Sequence, residues 1–292
     1  MNYKITGFAD EIAGDLMTQV ESLKKLGMSY VEMRGVDGNN LIYHSDDKVR
    51  QIKQVLDDNG IKLSALGSPL GKIGITDAFE PHFEEFKRAI EIAHMMECKY
   101  IRMFSFYLPN DAKSSDYEGE VFDRLGKFLA CASDNDIVLL HENEKGIYGE
   151  KAAECFKLMQ TFYEEHFKAI FDFANFVQCG QDTMEAYELL KPYIAYIHVK
   201  DAQKADGSVM PAGYGDGNVA TILGDLFNNG FNGFLSLEPH LFNFAGFAEL
   251  EKDGLSMAHE DKKILSGYEA FCLAHDSLMK ILESGKCLIK TI

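Results

Sequence analysis

The chain alternates between short apolar runs and longer stretches in which apolar residues recur every three or four positions. The short runs predict strands buried on both faces, and the longer stretches predict amphipathic helices. Eight such pairs follow one another with no Pro-rich or Ser-rich linker between them. An alternation of this kind predicts parallel βαβ units.

The predicted strands cover residues 4–9, 30–33, 61–66, 100–104, 137–141, 167–171, 193–199 and 233–237. The predicted helices cover residues 15–26, 46–58, 83–96, 117–133, 149–164, 183–190, 219–228 and 257–283. Open doubly wound sheets usually have fewer strands and carry a phosphate-binding glycine motif after the first one, a motif that this chain lacks. We therefore predict an α/β fold, a single (β/α)₈ TIM barrel that spans residues 1–292.

The net charge of the chain disfavours some classes of binding partner. The chain carries 29 basic and 46 acidic side chains, for a formal net charge of −17. Such a charge repels phosphate backbones and anionic lipid headgroups, and no basic stripe interleaved with aromatic residues overrides it. We expect neither a nucleic-acid partner nor a membrane partner.

The six cysteines are scattered without a C-x-x-C pair, and a chain of this size does not need disulfide bonds to fold. They are interpreted as reduced thiols. The first residues lack a charged segment followed by a long apolar one, and no apolar run approaches the roughly 18 residues of a membrane span. We expect a cytoplasmic protein.

Three acidic residues and a histidine stand at the ends of the last four predicted strands. They follow one another at separations of 30, 26 and 40 residues, each close to one βα unit: Glu142, Asp172, His198 and Glu238. The carboxyl ends of barrel strands converge on one mouth, so we expect these four side chains to be neighbours. Any single acid in such a position is more often a solvated loop residue or a helix cap, but the joint pattern favours a metal site.

The donor set indicates which ion such a site would take. Three carboxylates and one imidazole offer hard oxygen ligands and one borderline nitrogen ligand, which suit Mn²⁺, Mg²⁺ or Co²⁺ and also hold Zn²⁺. We therefore predict one divalent metal ion as the cofactor.

Short motifs around these residues resemble those of a known family. They are Leu140-His141-Glu142-Asn143, Phe171 to Asn175, Ile197-His198-Val199-Lys200-Asp201, and Leu237-Glu238-Pro239-His240. In this order and spacing they resemble the xylose isomerase-like barrels, the sugar phosphate isomerase/epimerase superfamily that includes ketose 3-epimerases and inosose dehydratases. The resemblance extends over the whole chain and implies a small sugar as the substrate.

The resemblance also implies a mechanism in which two metal-bound glutamates move a proton beside a carbonyl group. Glu142 and Glu238 occupy the matching positions. Metal coordination would stabilise the enediolate that forms, because a carboxylate alone is too weak a base for such a proton. The chain departs from the epimerase pattern at Asn175, where those enzymes often carry histidine. An amide binds a sugar hydroxyl but does not titrate near neutral pH.

Other residues are candidates for contact with the substrate. Lys200 and Asp201 follow His198 directly, although a Lys-Asp pair in a loop is commonly a solvated ion pair. Arg102 lies near the end of the fourth strand, where strand parity leaves open whether it faces inward. His44 follows the second strand and reaches either the mouth or solvent.

Three further features have alternative interpretations. Strand alternation points His141 away from Glu142 and predicts a packing role. The glycine-rich loop at 213–217 resembles a segment that covers a substrate, but its glycines also suit unusual backbone angles. Three phenylalanines, Phe242, Phe244 and Phe247, either line the pocket or pack against the barrel rim.

We consider four functions. The leading one is a metal-dependent isomerase or epimerase of a sugar or sugar phosphate, and a closely related one is dehydration of a cyclic polyol ketone at the same site. An endonuclease IV-like nuclease would need about three zinc ions and a basic rim, which the net charge disfavours. A non-catalytic sugar-binding barrel remains the fourth. By analogy with other barrels, a homo-oligomer is also an expectation.

Overall fold

The computed structural model describes residues 3–241 and 265–288. Eight parallel strands form its central sheet, so the predicted TIM barrel is confirmed. The three phenylalanines at 242, 244 and 247 and the first part of the predicted last helix lie outside the described residues. Within the described ranges, no helix has both the length and the apolar character that crossing a bilayer requires.

The barrel strands begin and end within two residues of the predicted bounds. They are β1 Lys4–Gly7, β2 Tyr30–Met33, β3 Lys62–Leu66, β4 Tyr100–Met103, β5 Val138–Glu142, β6 Phe167–Asp172, β7 Ile194–Val199 and β8 Phe234–Leu237. Consecutive strands pair from β2 to β8, and β1 pairs with β8. A bridge between Phe8 and Glu32 joins β1 to β2 and brings the sheet close to a full ring.

Nine helices cover the outside of the strands in the described part of the chain. They are α1 Leu16–Lys25, α2 Asp46–Asp58, α3 Phe79–Met95, α4 Ser114–Asp134, α5 Ala152–Phe162, α6 Phe173–Gln178, α7 Thr183–Leu190, α8 Val219–Asn228 and α9 Gly267–Leu288. Helix α3 begins four residues earlier than predicted, before Pro81 rather than after it. Pro81 lies in the first turn of the helix, where the N–H that proline lacks would have no partner within the helix, so the helix can begin before it.

Helix α6 was not predicted. Five of its six residues are buried, so it has no polar face and shows none of the periodicity that identifies an amphipathic helix. Its start is fixed by Asp172, whose side chain accepts a hydrogen bond from the backbone N–H of Asn175 at 2.7 Å. Such a cap stabilises a short helix where periodicity gives no signal.

The barrel interior changes from apolar to polar along its axis. One buried apolar layer fills it, formed by Ala65, Leu140, Ile170, Tyr196 and Phe234. Toward the carboxyl ends of the strands the buried residues become polar, and Asp172, His198 and Ser236 lie side by side in the strand register. The polar end is therefore where chemistry would take place.

Candidate metal centre

The four predicted strand-end residues form one buried cluster. One ligand atom from each lies within 4.8 Å of those of the others, and the members are Glu142, Asp172, His198 and Glu238. Glu142 and Asp172 are the last residues of β5 and β6, and Glu238 directly follows β8. All four side chains are withdrawn from solvent, with exposed fractions of 3% or less.

The His198 ring directs one nitrogen into this cluster. Nδ1 lies 2.8 Å from Oε1 of Glu142 and 3.4 Å from Oε2 of Glu238. The same nitrogen is 4.0 Å from Oδ2 of Asp172. Nδ1 therefore faces all three carboxylates, and Nε2 points the other way.

Two cations accompany the acids. The Lys200 ammonium lies 3.4 Å from Oδ2 of Asp172 and 3.2 Å from Oε2 of Glu238. Arg102 turns inward, and its Nη1 lies 3.2 Å from Glu142 and 3.8 Å from Glu238. Both side chains are buried, so these are ion pairs in a medium of low dielectric rather than screened surface contacts.

Burial and charge set the protonation of the cluster. Burial alone raises the pKa of Glu142, but His198 and Arg102 hold it well below its ordinary value. Burial also opposes ionisation of Glu238, yet Lys200 and His240 bring its pKa well below the usual range. Asp172 differs, because burial raises its pKa against the attraction of Lys200. Glu142 and Glu238 are thus the two carboxylates that ionise most readily.

The residues present fit a divalent ion. Oδ2 of Asp172 is buried and accepts no hydrogen bond from any described residue, which is costly for a carboxylate oxygen. Three oxygen donors and an imidazole nitrogen converge within the span that one ion bridges. Crowded carboxylates repel one another unless they are neutralised, so a cation would stabilise this arrangement.

A second acidic group adjoins the first through Glu238. His240 Nε2 lies 3.4 Å from Glu238 and 3.5 Å from Glu11. The Arg34 guanidinium lies 3.2 Å from Glu238, 3.4 Å from Glu11 and 2.8 Å from Asp10. Burial raises the pKa of Glu11 to about 7. The Arg34 guanidinium therefore already compensates negative charge in this second group.

Sequence reasoning missed Glu32, Arg34 and His240. Each is buried and lies within three residues of a strand end or, for Glu32, inside a strand. Glu32 interrupts the otherwise apolar run Tyr30-Val31-Glu32-Met33, and a lone acid in a buried strand was the available signal. His240 follows Glu238 by two positions and gave no periodic signal.

Asn175 and Asp201 differ in where the structure places them. The Asn175 amide donates to the backbone oxygen of Asn143 at 2.9 Å and lies 3.5 Å from Oε1 of Glu142, so it adjoins the cluster.

Asp201 instead organises the glycine-rich loop. Its carboxylate accepts from the backbone N–H groups of Ala202, Gly213, Gly215 and Gly217 at 2.8 to 3.0 Å. The structure therefore gives Asp201 a loop-anchoring contact, and its expected contact with the substrate stays a prediction.

Two histidines are likewise placed by their hydrogen bonds. The His44 ring bonds through Nε2 to the backbone oxygen of Val36 at 2.8 Å, a contact that orders the loop after β2, and its expected contact with the substrate stays a prediction. His141 points outward from the barrel, and its Nε2 lies 3.0 Å from Oγ of Ser105. Strand parity accounts for the outward position of His141, next to the inward Glu142.

The glycines of the loop at 213–217 are required by close approach. A Cβ atom at Gly215 or Gly217 would lie 2.5 or 2.6 Å from Oδ1 of Asp201. Such distances lie far inside van der Waals contact, so only glycine admits the carboxylate. The sequence left open whether this loop moves or only needs unusual geometry, and the contacts support the second interpretation.

Comparison with known proteins gives the family. A family model described as xylose isomerase-like TIM barrel matches residues 20–257. A 3-dehydroshikimate dehydratase of Bacillus anthracis is 19% identical over 180 residues, which are 62% of this chain and 64% of that protein. The match therefore covers less than two thirds of the length of that relative.

Solved structures share the fold. The structure of an L-ribulose 3-epimerase superposes with a TM-score of 0.76 at 15% identity, covering 99% of this chain and 97% of that one. The structure of the IOLI protein with a binding zinc atom gives a TM-score of 0.74 at 17% identity, covering 96% and 98%. At such identities these likenesses concern the fold, whereas the family model spans most of the chain. The chain belongs to the xylose isomerase-like TIM barrel family.

Proposed function

We propose that the chain is a divalent-metal-dependent isomerase or epimerase that moves a proton next to the carbonyl group of a sugar or sugar phosphate. The observation that carries the proposal is the buried cluster at the barrel mouth, whose ligand atoms lie within 4.8 Å of one another. An epimerase structure of the same fold and a zinc atom bound in another support it.

The metal would be held by Glu142, Asp172, His198 and Glu238. When bound, a divalent ion supplies positive charge that stabilises the negative charge developing on oxygen as a neighbouring C–H proton is removed. The donor set fits Mn²⁺, Co²⁺, Mg²⁺ and Zn²⁺ alike.

The protein's own groups would move the proton. Glu142 and Glu238 have lowered pKa values, so each is ionised near neutral pH, and because a lowered pKa also makes each a weak base, the bound metal would have to make the sugar C–H more acidic. One would remove the proton from the sugar and the other would return one to the opposite face. Arg102 lies within 4 Å of both carboxylates and would keep them apart and oriented.

The remaining residues would bind and shield the substrate. The Asn175 amide, next to Glu142, would bond a hydroxyl group. Lys200 would hold Asp172 and Glu238 in place rather than contact the reacting atoms. Burial of the whole cluster would exclude water and strengthen each charge interaction.

The test is turnover of ketoses, aldoses and inososes with each metal added back, together with solvent deuterium incorporation at the epimerised carbon. Glu142→Gln and Glu238→Gln should each lower turnover by about 10²–10⁴-fold, the usual contribution of a general acid or base. Glu144→Gln is the matched control, because Glu144 pairs with Lys72 outside the cluster. Near-wild-type turnover in either cluster variant would exclude the two-base mechanism.

A second candidate is a dehydratase at the same site. The curated relative is a 3-dehydroshikimate dehydratase, and loss of a β-hydroxyl starts from the same proton removal. Product mass separates the two, since an isomer keeps the mass of the substrate and a dehydration product is lighter by one water. A wild-type protein that binds none of the four metals at micromolar concentration would refute both candidates.

A further inference from the structure

A buried carboxylate of β2 faces the side of His198 that points away from the candidate metal ligands. Oε2 and Oε1 of Glu32 lie 3.2 and 3.3 Å from Nε2 of His198. Glu32 has no exposed surface, and no solvent reaches either partner. His198 is therefore held between Glu32 on one side and the three-carboxylate cluster on the other.

Two further donors fix the Glu32 carboxylate. Tyr196 donates its hydroxyl hydrogen to Oε2 at 2.9 Å, and Ser236 donates to the same oxygen at 2.6 Å. Ser64 in turn lies 3.0 Å from the Tyr196 hydroxyl oxygen. This carboxylate cannot rotate without breaking several buried hydrogen bonds, each of which is costly to lose.

Aromatic rings fix the imidazole plane as well. The Phe8 ring meets the His198 ring edge-on at 5.3 Å between centroids, and the Tyr196 ring does so at 5.8 Å. The imidazole is thus confined in both position and tilt.

We propose that Glu32 is a positioning residue that accepts the Nε2–H of His198 and so leaves Nδ1 as the metal-binding atom. This inference rests on the proposed metal site. Carboxylates face both nitrogens, but only Nδ1 faces the other candidate metal ligands, so a dication there would take the place of its hydrogen and leave the single N–H on Nε2, facing Glu32. The same contact makes the opposite nitrogen a better electron donor, and the Glu32 charge adds to the attraction for a dication.

The first experiment reads the two nitrogens directly. The full chain, labelled with ¹⁵N-histidine and loaded with Zn²⁺, is studied by NMR, and the His198 signals are assigned by their loss in His198→Gln. We expect a zinc-bound Nδ1 and a protonated Nε2 in slow exchange with water. Coordination of zinc through Nε2 would overturn the proposal, and this readout needs no substitution at Glu32.

The second experiment measures Zn²⁺ affinity by competition with a chelator. Glu32→Gln should weaken binding by about 10–100-fold, the usual effect of losing an outer-sphere partner of a ligating histidine. Glu144→Gln is the matched control, because it likewise neutralises one carboxylate but at a residue that pairs with Lys72 outside the cluster. It should bind Zn²⁺ almost as the wild type does.

The outcomes separate this inference from the proposed function. Equal Zn²⁺ affinity in the wild type and Glu32→Gln refutes the role of Glu32 alone, as does an equal loss in Glu144→Gln. A wild-type chain that binds no Zn²⁺ refutes the metal site itself and the inference with it. Should Glu32→Gln fail to fold, the zinc-bound nitrogen in the wild-type spectrum decides.

Discussion

Substituting Asp201 tests whether one side chain orders the loop beside the site. Its carboxylate accepts four backbone N–H groups, those of Ala202 and Gly217 at Oδ1 and those of Gly213 and Gly215 at Oδ2. Asp201→Asn keeps the shape of the side chain but replaces one oxygen with an amide group that donates hydrogen bonds. Two of the four N–H groups then lose their acceptor and face a donor.

The size of the effect follows from those two bonds. A hydrogen bond to a charged group contributes roughly 1.5–3 kcal/mol, so the loss of two should lower the stability of the loop by at least about 3 kcal/mol. Since about 1.4 kcal/mol corresponds to a factor of ten, the N–H groups of Gly213, Gly215 and Gly217 should exchange with solvent about 100-fold faster.

Amide hydrogen exchange, followed residue by residue, is the appropriate assay, because it reports opening of the loop rather than of the whole barrel. Asp216→Asn is the matched control. Asp216 lies in the same loop, is exposed, and accepts one hydrogen bond, from the backbone N–H of Lys204 at 2.7 Å. Exchange in Asp201→Asn that is no faster than in Asp216→Asn would refute the anchoring role.

Two further predictions concern buried charge. Lys200→Met should lower the unfolding free energy of the metal-free protein by about 3–5 kcal/mol, because it leaves Asp172 and Glu238 without their ammonium partner. The increase in melting temperature on adding Mn²⁺ should then be larger in this variant than in the wild type. An equal increase in both proteins would contradict this prediction. Burial lowers the pKa of His82, whose Nε2 accepts from the Gly71 N–H at 2.7 Å. The unfolded chain therefore binds more protons below pH about 6.5, and stability falls as the pH drops through that value. A pH series of chemical denaturation should show a smaller fall for His82→Gln, and an equal fall in both proteins would exclude His82 as the source.

The strand ends could be predicted because a barrel directs them all to one mouth. Glu142, Asp172 and His198 needed only the correct strand boundaries, and the structure brings them together. Arg102 shows where this reasoning stops. Parity left its direction open, and its pairing with Leu140, which faces the interior, places it inside the barrel.

Contacts across the barrel lumen could not be predicted. Glu32 and His198 are 166 residues apart and stand on strands that do not pair with each other. Contacts across the lumen depend on the stagger of the strands and on the length of the side chains. The pattern of apolar residues predicts neither of these. The role of Asp201 was hidden for a related reason, since its partners are backbone groups of a loop 12 to 16 residues away.

Closure of the ring has a consequence for how the chain folds. The Phe8 N–H donates to the Leu237 backbone oxygen at 3.0 Å, and the His240 N–H donates to Glu11 across 229 residues. During synthesis the β8-facing edge of β1 therefore stays unpaired until nearly all of the barrel has been made. An unpaired strand edge of this kind can pair with other chains and so lead to aggregation. The pairing of β1 with β8, which are far apart in the sequence, also slows folding. The candidate site also depends on β8, because Glu238 directly follows that strand, so its four residues come together only late in synthesis.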